Sequence, residues 1–262
     1  MAGQSPLLAG RMTDYWFTVY KRSWRGSVIS SFVTPLLYVL AMGVLLGGFI
    51  KGDPAQLEGA TSYLMFVAPG MVAAQSMTVV FGEMTYPVMS AVKWHKTYYS
   101  MIATPLSVRD IVVSNLGFVT VRVALTSGVF LLVMAPFGVF DSVVGVLLAF
   151  LVQLLIGLAF AAPLYALTAS MKDESGFSLI FRLGMIPMFL FSGAFFPVAK
   201  LDPALEVLAE LTPLWHGVDL TRMLTVGRYD GPWALVHVLY LAALAVGGYL
   251  LVVRRLHDRL MG

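Results

Sequence analysis

No cysteine occurs in the 262 residues. That excludes disulfides, thiolate metal sites and a cysteine nucleophile, and it leaves the compartment unread from redox chemistry. Charge is scarce as well: Asp, Glu, Lys and Arg make up 12% of the chain and the net charge is only +3. The basic residues sit near the ends of apolar runs, the pattern of topology signals rather than of nucleic-acid binding. There is no GxxxxGKS or GxxxxGKT phosphate loop, so the chain is not expected to hydrolyse ATP by itself, and neither HExxH nor GxSxG is present. The four histidines, His95, His216, His237 and His257, are scattered, which points to no assembled metal or hydrolytic site and to no cofactor held by this chain. No fixed-period repeat and no linker divide it.

What is abundant is apolar. Hydrophobic residues reach 59% and the mean hydropathy is +0.84, far above a soluble domain. The fold class is therefore all-α and polytopic, a single membrane domain over residues 1–262. At the roughly 20 residues that a bilayer requires, six spans are expected, at about 27–50, 63–92, 111–135, 143–169, 177–196 and 233–253. The first apolar run carries no small-x-small cleavage pattern and is expected to stay as an anchor; Gly43 and Gly47 within it permit close helix approach. Ahead of it, RMTDYWFTVYKRSWR at 11–25 is basic, aromatic and too polar to cross, and reads as an interfacial amphipathic helix or a plain juxtamembrane flank. Between the fifth and sixth spans, Leu201, Leu205, Leu208 and Leu211 form one stripe and Asp202, Glu206 and Glu210 another, predicting an amphipathic helix. A second follows after Pro213, around Leu214 to Leu224, and the pair is expected to be re-entrant, dipping into the outer leaflet, or to cap it.

Six spans put both termini on one side. With that topology eleven basic residues fall on the terminal side (Arg11, Lys21, Arg22, Arg25, Lys93, Lys96, Arg109, Lys172, Arg254, Arg255, Arg259), against Lys51, Lys200, Arg222 and Arg228 on the other. The positive-inside rule then makes both termini cytoplasmic, and the pair of amphipathic helices external.

The chain is arranged around KWHKTYYSMIATPLSVRD, 93–110, the long polar interruption on the basic side. Trp94, Tyr98, Met101 and Ile102 lie at helical spacing, predicting a short surface helix that Thr104-Pro105 breaks. Ser107 and Asp110 ahead of IVVSNLGFV make a capping box, so a new helix is predicted to start there. The result is an elbow, a handle by which something outside the membrane moves the spans, or else an interhelical loop whose basic residues face headgroups.

Three charged residues fall within spans: Glu83, Arg122 and Arg182. At 1.5 Å per residue all lie roughly 12 to 18 Å deep, where charges pair or meet water. Glu83 can pair with either arginine, lining a polar path or bracing the packing. Phe189, Phe191, Phe195 and Phe196 either guard a lateral opening for an amphiphile or simply face lipid.

YLMFVAPGMVA at 63–73, YYSMIATPLSVRDIVVSNLG at 98–117, FLFSGAFFPV at 189–198 and LTPLWHGVDLTRML at 211–224, in that order within six spans, make the sequence resemble the ABC-2 type exporter permeases. Within that family the likeness is to the lipo-oligosaccharide (nodulation-factor) and daunorubicin-type drug exporters of bacteria. The resemblance covers nearly the whole chain. It implies a permease of the bacterial cell (inner) membrane, paired with a second permease, identical or homologous, and docked on two ATP-binding subunits that hold the ATP and Mg. It implies export of a hydrophobic or amphipathic substrate along a path between the permeases that often opens sideways to membrane lipid. The elbow becomes a coupling helix, with that role carried onto Tyr98, Met101, Ile102, Ala103, Thr104, Pro105 and Leu106. Two other classes stay open: a proton-coupled secondary transporter using Glu83, and a noncatalytic subunit that anchors an ATPase to a different permease.

Overall fold

The computed structural model describes residue 18, residues 32–46 and residues 57–262, and among these every regular element is helical. Apart from Thr18, the expected interfacial segment at 11–25 lies outside the described residues, as do both ends of the first expected span, Gly47 included, and most of the loop after it. Residues 32–46 are helical (α1), with a π-helical second half, Val39–Leu46. The remaining elements are Tyr63–Trp94 (α2), Thr97–Ile102 (α3), Val108–Met134 (α4), Val143–Ser170 (α5), Glu174–Phe191 (α6), Pro203–Glu210 (α7), Pro213–Val226 (α8) and Gly231–Met261 (α9). Five of these described helices, α2, α4, α5, α6 and α9, are long and apolar enough to cross a membrane.

The helix starts follow from local chemistry. Ser62, Ser142, Thr212 and Asp230 each accept a hydrogen bond from the backbone N–H three residues on, capping α2, α5, α8 and α9, and prolines occupy the first turns of α7, α8 and α9, where a missing N–H costs nothing. Two bounds differ from the sequence reading by five residues or more. The fifth span stops at Phe191, because Gly193 turns the chain at φ +76°, a conformation open to glycine. The sixth runs on to Met261, because the basic tail stays helical with Leu256 and Leu260 buried.

α5 is the axis of the bundle, with α9, α8, α2 and α4 packed around it. Its closest neighbour is α9: a Cβ on Gly248 would come within 2.6 Å of the Pro163 ring nitrogen, so the two backbones touch. α2 is not straight. Pro87 removes the N–H that would bond to Glu83, and the helix breaks at Thr85 (φ −101°, ψ −96°) before resuming, as proline requires. The Thr168 hydroxyl of α5 donates to the Met84 carbonyl beside this break at 2.8 Å.

The two expected external helices lie at different depths. α7 does expose Leu205, Val207 and Leu208, but α8 is sunk into the bundle end against α2 and α5, with Leu214, Val218 and Leu220 buried. Small residues make this possible, since Gly217 lies directly on Ile156.

Candidate functional site

The elbow starts from strain and ends on a cap. α2 widens to a π-turn over Ser90–Trp94, His95 N–H bonds back to Ser90 O at 2.8 Å, and Lys96 then takes a left-handed conformation (φ 53°) that reverses the chain into α3. At the other side Ser107 and Asp110 form both halves of a capping box, with Asp110 N–H donating to Ser107 Oγ and Ser107 N–H to Asp110 Oδ2. Between these fixed points, Ala103, Thr104 and Pro105 are exposed and Met101, Ile102 and Leu106 are half-buried against the core. Tyr98 is different: it is completely buried, and its hydroxyl accepts from Asn115 of α4 at 2.7 Å and from the Tyr165 hydroxyl of α5 at 3.0 Å. Its side chain therefore ties α3 to two spans and has no surface to offer a docking subunit. On the flanks, Tyr99 donates to the Arg259 carbonyl, Lys93 pairs with Glu174 at 2.8 Å, and Arg259 donates to the carbonyls of Ala169 and Met171.

Deeper in the bundle, Arg122 Nη2 of α4 lies 3.0 Å from Glu83 Oε1 of α2, two residues before the Thr85 break. Both side chains are largely enclosed, so each charge has the other as its compensation. Arg182 is not brought into this pair. It is exposed on a π-widened turn of α6, Ile180–Met185, just ahead of Pro187. Among the five described spans α6 is the least covered, with 6% of its apolar window buried against 78% for α2. Phe189 packs edge-on to Phe195 at 5.0 Å, whereas Phe191 and Phe196 are each 36% exposed. A cavity of about 240 Å³ opens between α1, α2 and α6, lined by Tyr38, Gln75, Thr78 and Phe189 among others.

This arrangement, a polar elbow keyed into apolar spans with no phosphate-binding loop, meets its counterpart in comparison with known proteins. The family model for the ABC-2 type transporter matches residues 10–225. The chain belongs to that family. Relatives along most of the ABC-2 chain agree: Nodulation protein J of Rhizobium meliloti (strain 1021) is 30% identical over 257 residues, 94% of each chain. Nodulation protein J of Neorhizobium galegae is 30% identical over 223 residues, 81% of this chain and 82% of its own. The protein of the same name from Bradyrhizobium diazoefficiens is 29% identical over 88% of each. The protein is thus a multi-pass membrane permease of an ABC exporter, the transport subunit and not itself the ATPase, and its family implies an ATP-binding partner.

At the end of the ABC-2 permease opposite the elbow, the structure assembles residues that the sequence left apart. Arg222 of α8 is buried and donates to Glu58 Oε2 at 2.6 Å, to the Gly193 carbonyl at 2.6 Å and to the Phe66 carbonyl at 3.4 Å, with its guanidinium 4.0 Å from the Phe66 ring centre. His216 and His237 meet through their Nδ1 atoms at 2.7 Å, and His237 Nε2 lies 3.0 Å from Asp219 Oδ2. If Nε2–H of His237 donates to Asp219, its Nδ1 accepts from His216 Nδ1–H, and one pair of neutral tautomers satisfies the whole chain. Burial pushes the His216 imidazole down to about 4, helped by His237 and opposed by Asp219. Gln153, buried in α5, accepts from Ser76 Oγ of α2 at 3.0 Å and donates to Thr221 Oγ1 of α8 at 3.0 Å. A lone amide in a 28-residue apolar helix was the one available signal for this node. Nothing in the spacing of His216 and His237 announces their contact, and Arg222 reads in sequence only as one of the few basic residues on the external side.

Proposed function

We propose that this chain is the transmembrane half of an ATP-driven exporter in which the elbow converts the motion of an ATP-binding subunit into movement of α2, α4 and α5. The observation that carries the reading is the two-sidedness of α3: an exposed tip at Ala103, Thr104 and Pro105, and an underside anchored by Tyr98 to Asn115 and Tyr165. A push on the tip reaches two spans through hydrogen bonds in a dry interior, where they hold firmly. Met101, Ile102 and Leu106 form the apolar seat between tip and core, and Tyr98 acts as the anchor. ATP and Mg are bound by the partner, of which two copies would serve two permeases.

The bare face of α6, with Arg182 on it, supports a second permease, identical or homologous, standing against that side, with the cavity behind Phe189 and Gln75 as part of one wall of the path. Phe191 and Phe196, open to the surroundings, suit a lateral exit. The substrate is hydrophobic or amphipathic, a drug, lipid or glycolipid. The host membrane is the bacterial inner membrane, with both termini cytoplasmic. Glu83 serves as the brace of the α2 break, since it would first have to leave Arg122 to carry a proton.

The experiment is to place charge on the tip. Thr104→Glu with Pro105→Asp is expected to abolish substrate-stimulated ATP hydrolysis and to release the ATP-binding subunit on purification, at an unchanged melting temperature of the permease. Normal transport in that variant would remove the elbow from the coupling role. Capture of the wild-type chain without any ATP-binding subunit would remove the exporter reading itself.

A further inference from the structure

At the end of the bundle away from the elbow, two cavities lie side by side and differ in every chemical respect. One, of about 660 Å³, is a groove between the first halves of α5 and α9, floored by the last turns of α8 and lined by Leu148, Leu151, Leu155, Met223, Leu235 and Val238. Its size is that of a small-molecule site, its wall is apolar, and Leu148, Leu151 and Leu235 are exposed on its rim. The other, of about 290 Å³, is charged: Glu58, Asp219, Arg222, Arg228 and Asp230 line it together with Met223, which both cavities share. The strip from 227 to 231 divides them. Gly227 turns the chain out of α8 at φ +77° and Asp230 is extended (φ −110°, ψ 106°) ahead of α9; Gly227, Tyr229 and Gly231 line the groove, and Arg228 and Asp230 line the charged side.

We infer that the two cavities together form a binding site for one membrane phospholipid with an aminophosphate headgroup, its acyl chain in the α5–α9 groove and its headgroup on Arg228 and Asp230. This site stands apart from the exporter reading. The charges select the headgroup. Arg222 is committed to Glu58, Gly193 and Phe66, and one oxygen of Asp219 to His237. Arg228 is exposed, its stem laid on Gly59, and no ion pair or hydrogen bond engages its guanidinium among the described residues. Among the described residues that leaves one free cation for a phosphate, with the carboxylates of Asp219 and of Asp230, one oxygen of which caps α9, beside it for an ammonium. Three acids against two arginines give the cavity a formal charge of −1, which repels a headgroup carrying only a phosphate and accepts one that brings its own positive charge. A primary ammonium, with three donors, matches carboxylates better than a quaternary one.

The test is native mass spectrometry of the purified chain with phosphatidylethanolamine or phosphatidylglycerol of the same acyl chains. The expected result is one retained lipid, phosphatidylethanolamine over phosphatidylglycerol. Arg228→Gln should lower retention about tenfold, the loss of one charge-assisted contact, and Leu151→Trp, which fills the groove, should lower it comparably. Leu132→Trp, on the outer face of α4 where Leu132 is 75% exposed, should leave it unchanged. Equal retention of the two lipids overturns the headgroup assignment. Retention that ignores Arg228→Gln, or that falls equally with Leu132→Trp, overturns the site and leaves only a general lipid coat. Should Leu151→Trp fail to fold, the exposed Arg228 variant and the comparison of the two lipids still decide.

Discussion

The two ends of this permease are held by opposite means. At the elbow, the ties on the flanks are a half-exposed Lys93–Glu174 pair, one hydroxyl to the Arg259 carbonyl and the part-buried Arg259 guanidinium on the Ala169 and Met171 carbonyls, with a buried knot at Tyr98. At the other end Arg222 alone bolts together the segment at Glu58, the start of α2 at Phe66 and the turn after α6 at Gly193, from inside the protein. Exposed ion pairs are weak and screened by salt, whereas buried charge-assisted bonds are expensive to leave unmade. One end can therefore swing on its knot while the other stays clamped, an asymmetry suited to a lever driven from one side.

That contrast can be broken by substitution. Arg222→Met removes three hydrogen bonds and strands two carbonyls and a carboxylate, so a loss of about 3 kcal/mol or more is expected, read as a fall in melting temperature in mild detergent. Midway between the ends, Glu83→Gln leaves Arg122 without its counter-charge, and a loss of about 2 kcal/mol is expected. Exchanging the two, Glu83→Arg with Arg122→Glu, should recover most of it, and a double variant no better than the single one shows that pairing is not their role. Tyr98→Phe keeps the ring and removes the acceptor of Asn115 and Tyr165, for a loss of about 1–2 kcal/mol together with weaker coupling of ATP hydrolysis to transport; intact coupling would mean that the knot carries no motion. Acid should act on the clamped end first. The His216 imidazole binds a proton in the unfolded chain near its ordinary 6.5 but in the fold only near 4, so stability should decline as pH falls through that window. The groups facing it are His237, Asp219, Trp215 and Tyr240, and His216→Gln should flatten the decline. Least of all, Lys93→Ala should cost under about 1 kcal/mol, and a large loss there would refute a loosely held elbow.

Much of this was legible from residue types alone, because membrane helices announce themselves by length and caps by their hydroxyls. Ser107 and Asp110 predicted the start of α4 to the residue, since both halves of a capping box lie within four positions. The elbow residues were placed on a helix by periodicity, but periodicity cannot say which face is enclosed: Tyr98 looked like a surface aromatic and is the most buried residue of α3. Glu83 had two arginines at similar depth, and only the packing of α2 on α4 chooses Arg122. α8 read as an amphipathic helix that dips into the membrane or caps it, and its Trp215, His216, Asp219 and Arg222 gave no sign of how much of it is buried in the bundle. Its polar groups find partners on four other segments, and such partners are invisible to any local window.

The crossing of Gly248 over Pro163 also has a consequence for how the protein is made. α5 leaves the ribosome well before α9, and until Gly248 arrives the notch beside Pro163 lacks the surface that fills it. The newborn chain must wait with its central helix uncovered on that side, dependent on lipid or on the insertion machinery for shelter. A chain cut short of Gly248 presents an unfilled seam beside Pro163, and a finished one closes it.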